Sequence, residues 1–284
     1  MDDRRIMVIG SEGLVGHALM MRLVRQYTNV FPVSHRAMEI RSALQVSEVI
    51  QLIAPDVVFL CAALTHVDYC EERPDLSNEF NLAGPTNVVD ECGKKRIVIF
   101  FSSSYVFDGN LTGRNYLPND PICPINVYGK HKAEMEKRVM EANPNNLVIR
   151  TIGVIGKEAK QKNFGYQIFG AASIHRTIYV PIDQIMNPVL SDDLAGISVD
   201  LVHSHKTGIH HVAGDTCKTK FEFALDISKE ADLPTGNIVG KMTDDMNQRA
   251  ARPLNGCLDV NGLSALHLRI PEYKTMLRRF VNDH

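Results

Sequence analysis

The sequence predicts an α/β fold, a doubly wound, Rossmann-type parallel sheet with a smaller, discontinuous α/β substrate lobe. Three observations lead to this prediction. Short, β-branched apolar runs alternate with amphipathic helical stretches through the first half of the chain. A glycine-rich turn joins the first such run to the first helix, and the regular alternation loosens after about Gly156. Because strands of continuous apolar residues are buried on both faces, they predict a parallel sheet covered by helices on both sides.

The predicted elements follow one another in strand–helix order. Strands are predicted over residues 5–9, 29–33, 57–63, 97–102, 147–151 and 208–213. Helices are predicted over residues 14–24, 46–53, 77–92, 127–141, 166–175, 191–205 and 220–231. Ser191 is predicted as the N-cap of its helix because two aspartates follow in the first turn. Residues 177–188 are predicted to be extended.

Two units are expected from this order. We predict a dinucleotide-binding domain formed by residues 1–156 and about 186–213. A substrate-binding lobe is predicted from about 157–185 and 214–284. The lobe would arise from insertions after the later strands, so its boundary is discontinuous.

Composition bounds the class of protein. The 284 residues are 44% hydrophobic and 23% charged, with a net charge of −2. These values are ordinary for a globular chain and favour neither nucleic acid nor an anionic membrane as the main partner. No apolar run approaches the length of a membrane span, and MDDRRIMVIG at the amino terminus lacks the apolar region of a signal peptide. We therefore expect a cytoplasmic protein.

The cysteines predict no metal site. The six cysteines form no CxxC pair, and no cysteine–histidine cluster has zinc-ligand spacing. Without a secretion signal, reduced thiols are expected rather than three disulfides.

A glycine turn follows the first strand directly and opens a helix. It comprises Gly10, Ser11, Glu12, Gly13, Leu14, Val15 and Gly16. Gly10 allows a tight turn, Gly13 lets the backbone approach a pyrophosphate, and Gly16 allows close helix packing. The helix N-terminus would supply N–H groups and partial positive charge for the phosphates. The spacing is GxxGxxG rather than the GxGxxG of the usual dinucleotide fingerprint, so a purely structural turn is the alternative.

The end of the second strand bears on the choice of cofactor. An acid there would bind the ribose 2′-hydroxyl of NAD, but the residues are Ser34, His35 and Arg36. Arg36 could face a 2′-phosphate, with hydrogen bonds from Ser34 and His35, which favours NADP(H) over NAD(H). The alternative is that Arg36 is a solvated loop residue. Glu39 and Ile40 mark the segment expected to reach the adenine.

Tyr128 and Lys132 form a YxxxK pair at the head of a helix. The four-residue spacing places both side chains on one helix face. A tyrosine normally titrates near pH 10, and a neighbouring ammonium is expected to lower its pKa. Tyr128 could then give a proton to a ketone oxygen while a hydride arrives at the carbon. The alternative for Lys132 is a solvated helix face.

Three serines, Ser102 to Ser104, end the fourth strand. Ligands bind at the carboxyl edge of doubly wound sheets, so a hydroxyl there could hold a substrate oxygen beside Tyr128. Strand alternation predicts that Ser102 and Ser104 point away from Ser103. The alternative is a polar strand end whose hydroxyls are satisfied within the protein.

These motifs together resemble the extended short-chain dehydrogenase/reductases, and within them the dTDP-4-dehydrorhamnose reductase family. Six ordered stretches carry the resemblance: CAALTHVDYCEERPDLSNEFN (61–81, with Asp68, Glu71 and Asn81), SSSYVFDG (102–109), PINVYGKHKAEME (124–136), LVIRTIGVIG (147–156), DQIMNPVLSDDLA (183–195) and ARPLNGCLD (251–259). They run through nearly the whole chain.

The resemblance implies a role for each matching position. Ser103 falls on the catalytic Ser/Thr, Tyr128 on the proton donor and Lys132 on its partner. Further cofactor contacts are implied for Cys61, Ala62, Ala63, Thr65, Tyr128 and Lys132. Substrate contacts are implied for Thr65, Val67, Ser103, Ser104, Tyr105, Tyr128, Gln184, Asn187 and Arg252.

Two departures from the family pattern bear on the substrate. Ser104 replaces the usual aspartate, which removes an acid beside the catalytic hydroxyl and argues against a 4,6-dehydratase. Gly256 and Cys257 replace the usual small-polar pair. The sugar or its nucleotide could therefore differ from dTDP-4-dehydrorhamnose.

The resemblance implies an NADPH-dependent reductase of a nucleotide-linked 4-keto-6-deoxy sugar, in deoxysugar and polysaccharide biosynthesis. A homodimer through the long helices is a family-level expectation. Two alternatives stay open. One is a non-catalytic NADP-binding subunit similar to the regulatory beta subunit of methionine adenosyltransferase, and the other is a sugar-nucleotide epimerase.

Overall fold

A six-stranded parallel sheet forms the centre of the molecule. The computed structural model describes residues 2–158 and 162–283. The strands of this sheet are β1 (Asp2–Ile9), β2 (Tyr27–Val33), β3 (Val57–Leu60), β4 (Ile97–Ser103), β5 (Leu147–Thr151) and β10 (Gly208–His211). Their spatial order is β10-β5-β4-β3-β1-β2, and every neighbouring pair is parallel. The predicted fold class is confirmed.

Helices cover both faces of this sheet. They are α1 (Leu14–Leu23), α2 (Ala43–Ile53), α5 (Gly84–Cys92), α6 (Val127–Ala142) and α8 (Ser191–His203). Alternation along β1 sends Ile6 and Val8 into one core with α1 and α8, and Met7 and Ile9 into another with α2, α5 and α6. Strands buried on both faces explain why the sequence shows continuous apolar runs rather than alternation.

The chain between β3 and α5 is more broken than the sequence indicated. Two short helices, α3 (Val67–Glu72) and α4 (Pro74–Asn78), lead into a π-helical turn over Glu79–Ala83 that continues directly into α5. Residues 77–92 are helical throughout, but they belong to the end of α4, the π-helical turn and α5 rather than to one regular α-helix. π-Helical turns inside helices often accompany functional sites, and this one carries the buried Asn81.

A second, smaller core lies in the C-terminal half of the chain. Three helices, α7 (Phe164–Ser173), α9 (Lys220–Glu230) and α11 (Tyr273–Asn282), pack around β7 (Ile178–Pro181) and β12 (Ile238–Lys241). Two short strand pairs lie outside the central sheet: β6 (Val154–Ile155) with β9 (Val189–Leu190), and β8 (Ile185–Met186) with β11 (Lys218–Thr219). The short helix α10 (Asn261–Ala265) lies against β10 of the central sheet. Leu258 and Leu263 belong to the larger core rather than to this one. The predicted domain boundaries stay a prediction, and residues 159–161 of the predicted lobe lie outside the described residues.

Several predicted boundaries are wrong for local reasons. The third strand ends at Leu60 and not at residue 63, so Cys61 to Ala63 lie in a loop. Ser191 is the first helical residue, and Leu190 occupies the N-cap position with no side-chain cap. The extended stretch 177–188 is divided between β7 and β8. No element was predicted for β12, α10 or α11, although Tyr273, Met276, Leu277 and Phe280 have the apolar spacing of a helix in α11.

The expectation of reduced thiols is wrong for one pair, since Cys217 and Cys257 form a disulfide. The reason lies in β8, which pairs with β11 just after Cys217 and also bridges from Ile185 to Asn255, close to Cys257. Cys61, Cys70, Cys92 and Cys123 are free.

Across residues 2–158 and 162–283, no helix is long and apolar enough to cross a membrane. The same residues contain no cluster of three or more histidine, cysteine or acidic side chains that could hold a metal ion.

The buried side chain of Asn146 connects the end of α6 to β4. Its fully buried side chain accepts a hydrogen bond from Val98 N at 2.8 Å and donates one to Val139 O at 2.7 Å. Asn146→Ala leaves a buried donor and acceptor unpaired, and we expect the free energy of unfolding in urea to fall by about 2 kcal/mol. The exposed neighbour is the control, since Asn145→Ala is expected to change it by less than about 0.5 kcal/mol. Equal stabilities of the two variants would contradict this role of Asn146.

Candidate active site

The carboxyl ends of β1, β2 and β3 meet around the glycine turn. Gly10 has a φ of 82°, and its N–H donates to Val33 O at 2.8 Å. A Cβ on Gly10 would lie 2.7 Å from Ala62 N, so only glycine allows the turn to lie against the loop after β3. The three segments predicted to bind a dinucleotide are therefore neighbours at one edge of the sheet.

The start of α1 presents a cradle for an anion. Gly13 is the N-cap and no side chain caps the helix, so its first N–H groups remain available to a ligand. A Cβ on Gly13 would meet only Gly10 O, at 3.4 Å, whereas one on Gly16 would overlap that oxygen. Gly16 therefore allows α1 to pack on the turn, and Gly13 keeps its outer surface open.

The loop after β2 carries exposed polar groups beside this cradle. His35 Nδ1 lies 3.6 Å from Glu12 Oε2 of the glycine turn. Arg36 is exposed and makes no ion pair with any residue in the described part of the chain. The Ser34 hydroxyl accepts a hydrogen bond from Arg36 N at 3.3 Å. The guanidinium of Arg36 is thus free to meet a ligand.

Glu39 and Ile40 do not present free groups to a cofactor in this structure. Both Glu39 oxygens are held by Arg41, whose hydrogen bonds lower the pKa of Glu39 to about 2. Arg41 also pairs with Glu79 at 2.8 Å. Ile40 is buried in the core beside α2 and α5. Their predicted cofactor contacts stay a prediction. The hydrogen bonds of Arg41 connect Glu39 to Glu79.

Asn81 fixes the loop after β3. Its Oδ1 accepts from Leu64 N and its Nδ2 donates to Leu64 O, both at 2.9 Å. The loop lies beside the glycine turn at Ala62, and Thr65 is exposed at its far end. Asn81, for which no role was predicted, therefore holds the loop whose residues are predicted to line a cofactor.

The head of α6 is positioned by two residues that sequence reasoning missed. Asn126 caps the helix by accepting from Gly129 N at 2.8 Å, and it donates to Ala251 O at 2.8 Å. A Cβ on Gly129 would overlap the Tyr105 carbonyl oxygen. The glycine that follows Tyr128 therefore lets α6 approach the turn after β4.

Lys132 is buried beside the end of β4. Its Nζ donates to Phe101 O at 2.9 Å, lies 4.6 Å from the Phe100 ring centroid and lies 5.7 Å from the Tyr128 ring centroid. Burial lowers the pKa of Lys132 to about 8. The alternative of a solvated helix face is wrong, since only 3% of Lys132 is exposed.

Tyr128 is also buried, with its ring edge-on to Tyr105 at a centroid distance of 6.1 Å. Burial raises the pKa of Tyr128, and a hydrogen bond from the Ser103 side chain opposes that rise. In this structure the pKa of Tyr128 is therefore raised, and the lowering by Lys132 that we expected from the sequence is not found. Tyr128 is a protonated phenol at neutral pH, which is the state a proton donor requires.

The three serines at the carboxyl end of β4 face different surroundings. Ser102 donates to Glu136 Oε1, and Ser103 accepts from Tyr105 N at 3.2 Å. Ser104 is fully buried, and its hydroxyl has no hydrogen-bond partner among the described residues. A Cβ on Gly256 would lie 3.3 Å from the Ser104 hydroxyl, so the two departures from the family pattern are neighbours in space.

Glu136 and Arg150 form a buried ion pair that the sequence did not reveal. Arg150 holds both Glu136 oxygens, at 2.7 and 2.9 Å, and both side chains are 3% exposed. The third Arg150 hydrogen bond goes to Pro118 O at 2.9 Å. Both residues lie in the stretches that carry the family resemblance, and this was the only available signal.

Two predicted substrate contacts, Asn187 and Gln184, stay predictions, and both side chains are engaged within the protein. Asn187 is 1% exposed and its amide is used by Gly214 O, Leu258 O and Leu258 N. Gln184 is 2% exposed and bonds to Lys220 Nζ, Thr243 Oγ1 and Gln248 Oε1. Both amides join segments that are distant in the sequence, and a substrate contact of either would have to compete with these internal hydrogen bonds.

Arg252 is also held within the protein. It pairs with Asp68 Oδ1 of α3 at 2.8 Å, and the same oxygen accepts from Ala250 N at 3.0 Å. Glu71 of α3 accepts from Val127 N at 2.9 Å, so α3 joins the loop around Arg252 to the head of α6. A substrate contact of Arg252 stays a prediction and would have to compete with Asp68.

Together these groups can hold a dinucleotide and protonate a carbonyl oxygen. The open outer surface of Gly13 and the uncapped start of α1 fit a pyrophosphate. Ser103, Tyr128 and Lys132 follow along the same sheet edge, on β4 and α6. The remaining predicted substrate contacts, Val67 in α3 and Tyr105 beside Tyr128, lie on elements adjoining these three residues.

Known proteins share this architecture over the full chain. A family model described as RmlD substrate binding domain matches residues 4–284. The chain is 28% identical over 271 residues to the dTDP-4-dehydrorhamnose reductase of Aggregatibacter actinomycetemcomitans, covering 90% of each chain. It is 27% identical over 279 residues to methionine adenosyltransferase 2 subunit beta of Rattus norvegicus, covering 93% of this chain and 83% of that one. The crystal structure of dTDP-4-dehydrorhamnose reductase from Bacillus anthracis in complex with NADP matches all of both chains with a TM-score of 0.93 and 28% identity.

Proposed function

The chain belongs to the RmlD substrate binding domain family, and from this premise we propose that it is an NADPH-dependent reductase of a nucleotide-linked 4-keto-6-deoxy sugar. It would act in deoxysugar and polysaccharide biosynthesis. The observation that carries the proposal is the placement of Ser103, Tyr128 and Lys132 at the same sheet edge as the glycine cradle. A relative named as a reductase of this kind and a structural neighbour in complex with NADP support it.

In this mechanism the protein binds, orients and protonates. The turn from Gly10 to Gly16 holds a pyrophosphate at the start of α1. When bound, NADPH supplies a hydride to the ketone carbon. Tyr128 keeps its proton because it is buried, and delivers it from the phenolic oxygen to the ketone oxygen. Ser103 orients that oxygen by a hydrogen bond, and the Lys132 ammonium stabilises the phenolate that remains.

The proposal includes a preference for NADP(H) over NAD(H). No carboxylate follows β2 at the position where NAD enzymes bind the ribose 2′-hydroxyl. The exposed Arg36 offers a planar guanidinium instead, suited to a phosphate monoester.

A non-catalytic NADP-binding subunit is the second candidate, favoured by the match to methionine adenosyltransferase 2 subunit beta. The buried, hydrogen-bonded Lys132 beside Tyr128 supports catalysis, because burying a lysine is unfavourable unless its charge is used or compensated. An epimerase would keep its dinucleotide through turnover and would not consume NADPH.

The first prediction concerns the proton donor. NADPH oxidation should occur with one of a panel of dTDP-, GDP-, UDP- and CDP-linked 4-keto-6-deoxy sugars. Tyr128→Phe should lower kcat by about 100-fold or more, the usual loss of a general acid. Tyr179→Phe makes the same chemical change at an exposed tyrosine of β7 and is the matched control, which should leave kcat unchanged. Binding of NADPH without turnover on any sugar would favour the non-catalytic subunit.

The second prediction concerns the cofactor. Arg36→Ala should raise KM for NADPH about 10-fold or more, through the loss of a charge-assisted phosphate contact, and leave KM for NADH unchanged. Arg25→Ala removes an exposed arginine beyond the end of α1 and should alter neither value. An equal effect of Arg36→Ala on both cofactors would show that Arg36 does not read the 2′-phosphate.

The third prediction concerns pH. Lys132 has a pKa lowered by burial to about 8, so its ammonium is present below that pH and lost above it. The reductive kcat should therefore be level below about pH 8 and fall about tenfold per unit above it. Lys132→Met should abolish this basic limb together with most of the activity. A kcat that stays level to pH 10 would contradict the requirement for the ammonium.

A further inference from the structure

The ammonium of Lys132 lies in a pocket in which its charge needs compensation. It has one hydrogen-bond acceptor, Phe101 O, among the described residues, and it lies over the Phe100 ring. A buried amine in apolar surroundings loses its proton readily, because burial disfavours the charged form. Some group must oppose this effect if Lys132 is to be charged during catalysis.

Four titratable groups face Lys132 from the elements around it. They are Cys61 after β3, Cys70 of α3, and Tyr128 and Glu136 of α6. Burial raises the pKa of both thiols and of Tyr128, so all three are neutral when Lys132 titrates. Glu136 is the one anion among them.

Glu136 lies one helical turn beyond Lys132 on the same face of α6. Arg150 of β5 grips both of its oxygens, and Ser102 of β4 donates to one of them. These contacts hold the Glu136 side chain in place between α6, β4 and β5. Ser102 stands between Phe101, which binds Lys132 Nζ, and the catalytic Ser103.

We propose that Glu136 is a positioning residue for the reduction, which keeps Lys132 protonated and holds the carboxyl end of β4 against the catalytic face of α6. This inference rests on the proposed function and adds to it a source for the charge on Lys132. Arg150 of β5 supports this role, because its ion pair holds the Glu136 side chain in place.

The test compares pH profiles of kcat. Glu136→Gln keeps the shape of the side chain and removes its charge, so the basic limb should move to lower pH by about one unit, the smaller end of the effect of a neighbouring opposite charge. Glu134→Gln makes the same chemical change on the exposed face of α6 and should leave the limb in place. An unmoved limb in Glu136→Gln would overturn the proposal.

Two further variants separate charge from packing. Ser102→Ala removes a hydrogen bond to Glu136 but leaves its charge, so the limb should not move even if kcat falls. Glu136→Gln alone leaves Arg150 buried and unpaired and could prevent folding. The double variant Glu136→Gln with Arg150→Gln removes both charges. Because Glu136 and not Arg150 acts on Lys132, its limb should still move to lower pH, by less than in Glu136→Gln. A shift in Ser102→Ala as large as that in Glu136→Gln would overturn the proposal in favour of packing alone.

A direct titration distinguishes failure of this inference from failure of the proposed function. The chain labelled with ¹³C at lysine Cε should give one resonance that disappears in Lys132→Met, and its chemical shift reports the charge on Lys132 without any turnover. The midpoint should be lower in Glu136→Gln than in the wild type and unchanged in Glu134→Gln. This result would support the role of Glu136 even for a chain inactive on every sugar, whereas equal midpoints in an active enzyme would overturn it.

Discussion

The contact between the head of α6 and the carboxyl end of β4 is the constraint on which the rest of the site depends. Lys132 Nζ binds Phe101 O, and Gly129 passes directly beside the Tyr105 carbonyl. These contacts set the separation between the helix that carries the phenol and the strand that carries Ser103. The Glu136–Arg150 pair secures the same junction one turn further along α6. A shift of α6 along the sheet would separate Tyr128 from Ser103 and from the glycine cradle at once.

The two departures from the family pattern also meet at this junction. Ser104 replaces a larger acid, and Gly256 lies next to its hydroxyl. A side chain at residue 256 would overlap Ile152 Cδ1. The two positions that depart from the family pattern therefore belong to one buried patch beside Ile152.

The fold and the placement of the glycine turn and of Tyr128 and Lys132 could be predicted from the sequence because they rest on local patterns. Apolar runs marked the five strands of the first half, and GxxGxxG and YxxxK marked the turn and the head of α6. The partners of buried polar groups could not be predicted, since they come from distant parts of the chain. Asn187 joins residues 214 and 258, and Arg252 reaches Asp68 across 184 positions of sequence. The family motifs predicted ligand contacts for Asn187 and Arg252 as well as for Tyr128. In the structure, the Asn187 side chain connects distant segments of the chain. The Cys217–Cys257 pair and the π-helical turn at Asn81 likewise depend on tertiary contacts that have no local signature.

The central claim is that NADPH, bound at this edge of the sheet, gives a hydride to the ketone carbon of a nucleotide-linked sugar. The most direct measurement follows the hydrogen itself, with NADPH that carries deuterium at the transferable C4 position and mass spectrometry of the sugar nucleotide. The account predicts one deuterium in the product, bound to the carbon that bore the ketone, and a matching quantity of NADP formed. A sugar nucleotide that binds and is released without deuterium, while NADPH remains intact, would contradict the account.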